Sequence, residues 1–304
     1  MNIEEDEYAC LTYIDYSTPY PLDTDNVLCI EGHESQDFSP ITETIHGSSI
    51  GNSYHSISNL NSILKCKGEG DLFVMHLNAV SLVAHYDEIE SLISAKISAT
   101  PDILCISETR FKDSKVDYQS KLATHPDYDL VYDNSPTNAG GVAIYVKHNI
   151  KFTVNRELKL KVDDCESLFI ELDISDKLIL GSQKTVLIGC IYRHPRPQTE
   201  SFLDSLSGIL DHYTQRETPI LIMGDINYDV SNKDKASTKL YENMLNSFGC
   251  SNIISVSTRF GKSNNAILDH IITNYDLNKT VHGVLDFTMI DTPQLSHYLS
   301  ILAL

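Results

Sequence analysis

Residues 219–230 read Pro-Ile-Leu-Ile-Met-Gly-Asp-Ile-Asn-Tyr-Asp-Val. Ile220, Leu221, Ile222 and Met223, bounded by Pro219 and Gly224, have the length and composition of a strand buried on both faces. Alternation along an extended chain puts Asp225 and Asn227 on one side, at the strand's C-terminal end. In layered α/β folds that end is where binding and chemistry gather. An isolated Gly-Asp-x-Asn is equally an Asx turn closing a strand. Its meaning depends on what the other strand ends supply.

Working outward, residues 72–77 form an apolar run that ends at Asn78, and residues 102–106 form one that ends in Ser107-Glu108-Thr109-Arg110. Residues 186–191 lead into Tyr192-Arg193-His194-Pro195, and residues 266–273 carry Asp269 and His270 inside a short apolar run. Residues 298–304 are apolar and entered from His297. Taken singly, each of these polar groups is more often a cap or a satisfied core residue than a catalyst. Together and in this order they describe a set.

The chain has 304 residues and a formal net charge of −19. Residues 1–70 hold twelve acidic residues against two Lys, with a polar tract over residues 47–63. Such a stretch buries too little apolar surface to offset its ordering entropy, so an acidic, disordered tail is expected there. The remaining residues 71–304 suit one catalytic α/β domain. The tail lacks the basic and apolar regions of a signal peptide, and no apolar run approaches the roughly 18 residues of a membrane span. Seven scattered Cys without a Cys-x-x-Cys pair indicate neither zinc nor disulfides and suit a reducing compartment. An intracellular protein without membrane or disulfide partners is expected.

Spacings of three and four among Leu82, Val83, Tyr86, Ile89, Leu92, Ile93 and Ile97 predict a helix over residues 82–97. Helices are also predicted over 201–213 and 239–248, and strands over 128–132, 142–146, 168–174 and 186–192. Gly140-Gly141 marks a turn before the second of these strands.

The residues Leu77-Asn78, Ser107-Glu108-Thr109, Gly140-Gly141-Val142-Ala143-Ile144-Tyr145, Ile191-Tyr192-Arg193, Gly224-Asp225-Ile226-Asn227, Leu268-Asp269-His270-Ile271 and Ser296-His297-Tyr298 occur in that order. In this the chain resembles the endonuclease/exonuclease/phosphatase superfamily, the DNase I-like fold, and within it most the endonuclease domain of LINE-type (non-LTR) retrotransposons. The resemblance implies an α/β fold of the four-layer αββα sandwich type, a metal-dependent phosphodiesterase that nicks DNA, and the nucleus as its place of action. It would have a retrotransposon polyprotein continue into reverse transcriptase. No such segment follows Leu304, so a detached domain, a truncated copy or a host gene derived from one is expected.

Hydrolysing a phosphodiester requires a polarised phosphate oxygen, an aimed water and a stabilised leaving oxygen. Mg²⁺, or Mn²⁺ in its place, suits the first and third tasks and takes few carboxylates. The resemblance assigns Glu108 and Asn78 to that ion, Asp225 to the water as base, and Asn227 and Tyr192 to the phosphate. It has Asp269 orient His297, and it brings Arg193, Thr258 and Arg259 to the substrate. A packed aromatic at Tyr192 and a plain turn hydroxyl at Thr258 are the alternatives left open by the residues alone.

One departure concerns the end of the chain. The family typically has Ser-Asp-His before its last strand, whereas Gln294-Leu295-Ser296-His297-Tyr298 lacks the Asp. Reduced turnover is the expectation, with a non-cleaving nucleic-acid or protein binder and a phosphatase acting on small esters as the alternatives. The acidic net charge is awkward for a DNA partner. A basic rim of Arg110, Lys112, Lys147, Arg193, Arg196, Arg259 and Lys262 beside the site answers it locally.

Overall fold

The computed structural model describes residues 8–12, 53–65, 71–96, 100–135, 139–174, 183–196, 199–260, 265–275, 281–286 and 299–303. Its strands are β1 Tyr8–Thr12, β2 Ser53–His55, β3 Phe73–Asn78, β4 Ile103–Ser107, β5 Tyr128–Asp133, β6 Val142–Lys147, β7 Phe152–Val154 and β8 Cys165–Asp173. They continue with β9 Thr185–Arg193, β10 Ile220–Asp225, β11 Ser251–Asn252, β12 Arg259–Phe260, β13 Asn265–Ala266, β14 Asp269–Thr273, β15 Val281–Asp286 and β16 Leu299–Ala303. The helices are α1 Ile57–Leu64, α2 Tyr86–Ser91, α3 Val116–Leu122, α4 Glu200–Thr214 and α5 Ala236–Ser247.

Two sheets carry the fold, one ordered β1-β15-β16-β3-β4-β6-β5 and the other β11-β14-β10-β9-β8-β7. Alternation along β3 sends Phe73, Met75 and Leu77 outward, into a cluster with Leu60, Leu64, Leu82, Ile89 and Leu92. Val74 points the other way and shares a core cluster with Ile188, Cys190 and Ile222 of the second sheet. On that sheet's far side Phe202, Leu206 and Leu210 of α4 and Tyr241 and Leu245 of α5 join the same core. The layers therefore run helices, sheet, sheet, helices, the expected four-layer αββα sandwich. Residues 220–225 are buried throughout, as the run around Met223 predicts for a strand covered on both faces.

Three boundaries differ from the sequence reading. The unit does not begin at residue 71: α1 packs Leu60 and Leu64 into the outer core, and β1 pairs antiparallel with β15. A polar stretch, Ser-Asn-Leu-Asn-Ser-Ile-Leu, hides this because Leu60 and Leu64 lie one turn apart and suffice once a sheet face is there to cover. The helix expected over 82–97 is confined to α2 and a π-helical turn at Leu92–Lys96. The run 266–273 breaks at Ile267 and Leu268, whose backbone groups serve other partners: Leu268 N–H donates to Thr258 Oγ1 at 3.0 Å and its carbonyl accepts Ile226 N–H at 2.9 Å.

Among the described residues no helix is long and apolar enough to cross a membrane. Cys105, Cys165, Cys190 and Cys250 are free thiols.

Candidate active site

The polar strand ends collect at one end of the inter-sheet cleft. In the second sheet, register places Asp225 beside Tyr192 on β9 and beside Asp269 on β14, while Glu166 of β8 lies opposite Tyr192. Glu166, Tyr192, Asp225 and Asp269 thus stand in one row across four strands. From the first sheet, Asn78 closes the cleft: its Nδ2 donates to Asp225 Oδ2 at 2.9 Å and to Glu108 Oε1 at 3.0 Å. Both readings of Gly-Asp-x-Asn hold at once. Asp225 Oδ1 accepts Asn227 N–H at 3.1 Å, the Asx turn, while Oδ2 faces the first sheet.

Backbone strain concentrates at the same place. The described non-glycine residues with positive φ are Val80, Glu108, Arg110, Asn227 and Glu217, and the first four flank these strand ends. Left-handed conformations in such residues persist where the surroundings over-determine them, commonly at functional sites. Here the Glu108–Arg110 turn is held by Thr109 N–H and Arg110 N–H donating to the carbonyls of Gly141 and Gly140 at 3.1 and 2.9 Å.

Burial and like charge shape the acid chemistry. Asp225 is pushed up to about 7, first by burial and then by Glu108, against the opposing pull of Asn227 N–H, Arg259 and Asn78. Asp269 is also held well above the usual carboxylate range, by burial and then by Asp225. Burial, followed by Glu108, Asp225 and Glu166, raises the Tyr192 phenol, which stays protonated and able to donate. The ring of Tyr192 packs edge-on to His194 with centroids 4.9 Å apart.

The residues fit one divalent cation held by oxygen. Glu108 raises the pKa of Asp225, and one amide nitrogen is shared between the two carboxylates. Among the described residues no three His, Cys, Asp or Glu side chains converge on one point. Arg110 occupies the outer oxygen of Glu108 at 2.6 Å. Its side chain is more than a third exposed, so the pair contributes little. Asn78 presents Nδ2 to the carboxylates and Oδ1 to Val80 N–H at 3.1 Å, so here it bridges acids where metal ligation was expected.

Two residues expected at the substrate are buried and bonded to the chain's own backbone. Arg193 is buried, donating to the carbonyls of Ile226, Asn227 and Arg196 at 3.5, 3.3 and 2.9 Å, with its guanidinium over Phe202. It braces the loop after β10. Thr258 is also buried, and its Oγ1 accepts the N–H groups of Leu268 and Asp269, both at 3.0 Å. Asn227 is partly committed as well, donating Nδ2 to Arg193 O at 2.8 Å. Arg259 is exposed and close enough to lower both Asp225 and Asp269, as a substrate contact requires. His297 lies outside the described residues. His76, missed in the sequence, sits on the inner face of β3 two residues before Asn78. That same-face spacing is the signal that could have found it.

A brace and a substrate contact fail differently when removed. Arg193→Ala should cost about 3 kcal/mol or more of stability, because the carbonyls of Ile226, Asn227 and Arg196 lose their donor, with the KM for substrate within about twofold. Chemical denaturation alongside kinetics checks this. Unchanged stability with a raised KM would return Arg193 to the substrate.

The sequence profile of the Endonuclease/Exonuclease/phosphatase family matches residues 58–296. No curated protein sequence matches the chain. Among solved structures, the AP endonuclease LMAP from Leishmania major aligns with a TM-score of 0.56 at 12% identity, covering 77% of this chain and 87% of its own. The human Nocturnin catalytic domain aligns with a TM-score of 0.50 at 17% identity, covering 77% and 93%. The endonuclease domain of TRAS1, a telomere-specific non-LTR retrotransposon, aligns at 0.47 and 15% identity, covering 66% and 84%. With a profile match over most of its length and a shared fold, the chain belongs to the endonuclease/exonuclease/phosphatase family.

Proposed function

We propose that the chain is a divalent-metal-dependent phosphodiesterase that nicks DNA in the nucleus, an endonuclease unit of retrotransposon origin. The observation that carries this reading is the row Tyr192-Asp225-Asp269 facing Glu108, with Asn78 bridging Asp225 and Glu108 across the cleft. Mg²⁺ bound at Glu108 would polarise a phosphate oxygen and neutralise charge on the leaving oxygen. The remaining work falls to the chain's own groups. Asp225, with a pKa of about 7, takes the proton of the attacking water and releases it near neutral pH. Tyr192 donates a hydrogen bond from its phenol to a phosphate oxygen, and Arg259, exposed beside both carboxylates, draws the DNA backbone toward an otherwise acidic surface.

The test is conversion of supercoiled plasmid to open circles by the full chain with and without Mg²⁺. Nicking should require the ion, and Glu108→Ala should lower it by about 100-fold or more. Equal nicking by wild type, Glu108→Ala and Asp225→Ala would overturn the proposal. So would turnover of small phosphate esters by a chain indifferent to DNA.

A further inference from the structure

Between the sheets, behind the row of carboxylates, two buried polar atoms face each other without a hydrogen-bond partner among the described residues: His76 Nδ1 and Asp269 Oδ1. They are 3.7 Å apart, with side-chain exposures of 0% and 3%. The other ring nitrogen, His76 Nε2, lies 3.0 Å from Ser107 Oγ, itself fully buried. Three segments of distant sequence meet here: β3, the end of β4 and the start of β14.

A neutral imidazole has one N–H and one bare nitrogen. If Nε2 carried the proton, the bare lone pair of Nδ1 would face a carboxylate oxygen, and neither buried atom would have a donor. With the proton on Nδ1, the ring donates to Asp269, and Nε2 accepts the hydroxyl proton of Ser107. With Asp269 ionised, only this tautomer gives all three residues a partner, and closing the contact from 3.7 Å to a normal N–H···O distance takes under about 1 Å.

We propose that His76 is a positioning residue: a neutral ring, set as the Nδ1–H tautomer by Ser107, that fixes the orientation of Asp269 by a hydrogen bond to Oδ1. Asp269 stands in register beside Asp225, so a carboxylate free to rotate there would change the charge felt by the proposed base. The kinetic consequence rests on the phosphodiesterase reading. The tautomer does not.

The two parts are tested separately on the full chain. A long-range ¹H–¹⁵N spectrum of uniformly labelled protein, with the His76 signals identified by their loss in His76→Asn, should show a protonated Nδ1 and a bare Nε2, and Asp269→Asn should shift the Nδ1 signal. A proton on Nε2 would overturn the proposal whether or not the chain cleaves DNA. In nicking assays His76→Asn, which keeps a donor near Nδ1, should retain activity within about threefold. His76→Leu should lower kcat by about 10- to 100-fold with KM nearly unchanged, as loss of an outer-shell partner does. Full activity in His76→Leu, or equal losses in folded Asn and Leu variants, would also overturn it. If the wild type fails to nick, the phosphodiesterase reading fails and the spectrum alone decides for His76.

Discussion

Asp225→Asn should leave a folded chain whose nicking is slower by about a thousandfold or more, the range over which a positioned base acts. The shape of the side chain is kept, so the Asx turn to Asn227 survives on Oδ1; what is lost is the ability to take a proton, together with the acceptor that Oδ2 offers to Asn78. Stability should move in the opposite sense, in a pH-dependent way. The carboxyl of Asp225 has a folded pKa of about 7 against an ordinary 3.8. Between those values the folded chain holds a proton that the unfolded chain has released. The stabilisation from this proton is complete below about pH 4 and is lost as pH rises through 7. Asn cannot titrate, so in chelator the variant should gain on the wild type by a few kcal/mol between about pH 4 and 8, since each tenfold difference in proton affinity between the folded and unfolded chains corresponds to about 1.4 kcal/mol. Urea denaturation at the two pH values reads this directly. A stability gap that ignores pH would show that Asp225 is not the buried, raised acid described, and a variant nicking within tenfold of wild type would remove it as the base.

The sequence carried the acids of this site better than its cations, for a physical reason. Asp225, Asn78 and Glu108 each end an apolar run, and a strand end between two sheets leaves a short side chain one direction to face. Arg193 also ends such a run, but its long stem can reach back under the next loop, and nothing local distinguishes that from reaching toward DNA. Thr258 was ambiguous in the same way, since a hydroxyl accepts from backbone as readily as it donates to a phosphate. His76 was masked by its neighbours: a ring in Phe-Val-Met-His-Leu-Asn reads as part of a buried strand. Only the opposite sheet supplies the carboxylate that gives it a role. The folded unit reached back to α1 and β1 for a related reason. The edge with which β1 pairs is β15, built from residues more than two hundred positions later.

The glycine of Gly-Asp-x-Asn explains how Asp225 comes to stand beside Tyr192 at all. In the parallel register of β10 and β9, Gly224 lies opposite Ile191 and Asp225 opposite Tyr192. A Cβ at Gly224 would fall 1.8 Å from the Ile191 carbonyl oxygen and within 2.9 Å of its backbone nitrogen. These are backbone atoms of a central strand, so no rotamer change relieves the clash; the two strands would have to part where the site is assembled. Gly224→Ala should therefore destabilise the chain by more than about 4 kcal/mol, the exceptional class of substitution effects, and be recovered as insoluble or non-cooperatively melting protein. Gly208→Ala is the matched comparison. That residue is exposed in the middle of α4 with open space around it, and Ala there should add up to about 1 kcal/mol by helix propensity. The same methyl group then acts with opposite signs at two sites, and thermal melts of both variants measure it. A Gly224→Ala chain that melts like wild type would mean that β9 and β10 are not drawn together as described, and with them the pairing of Asp225 and Tyr192 on which the proposed chemistry depends.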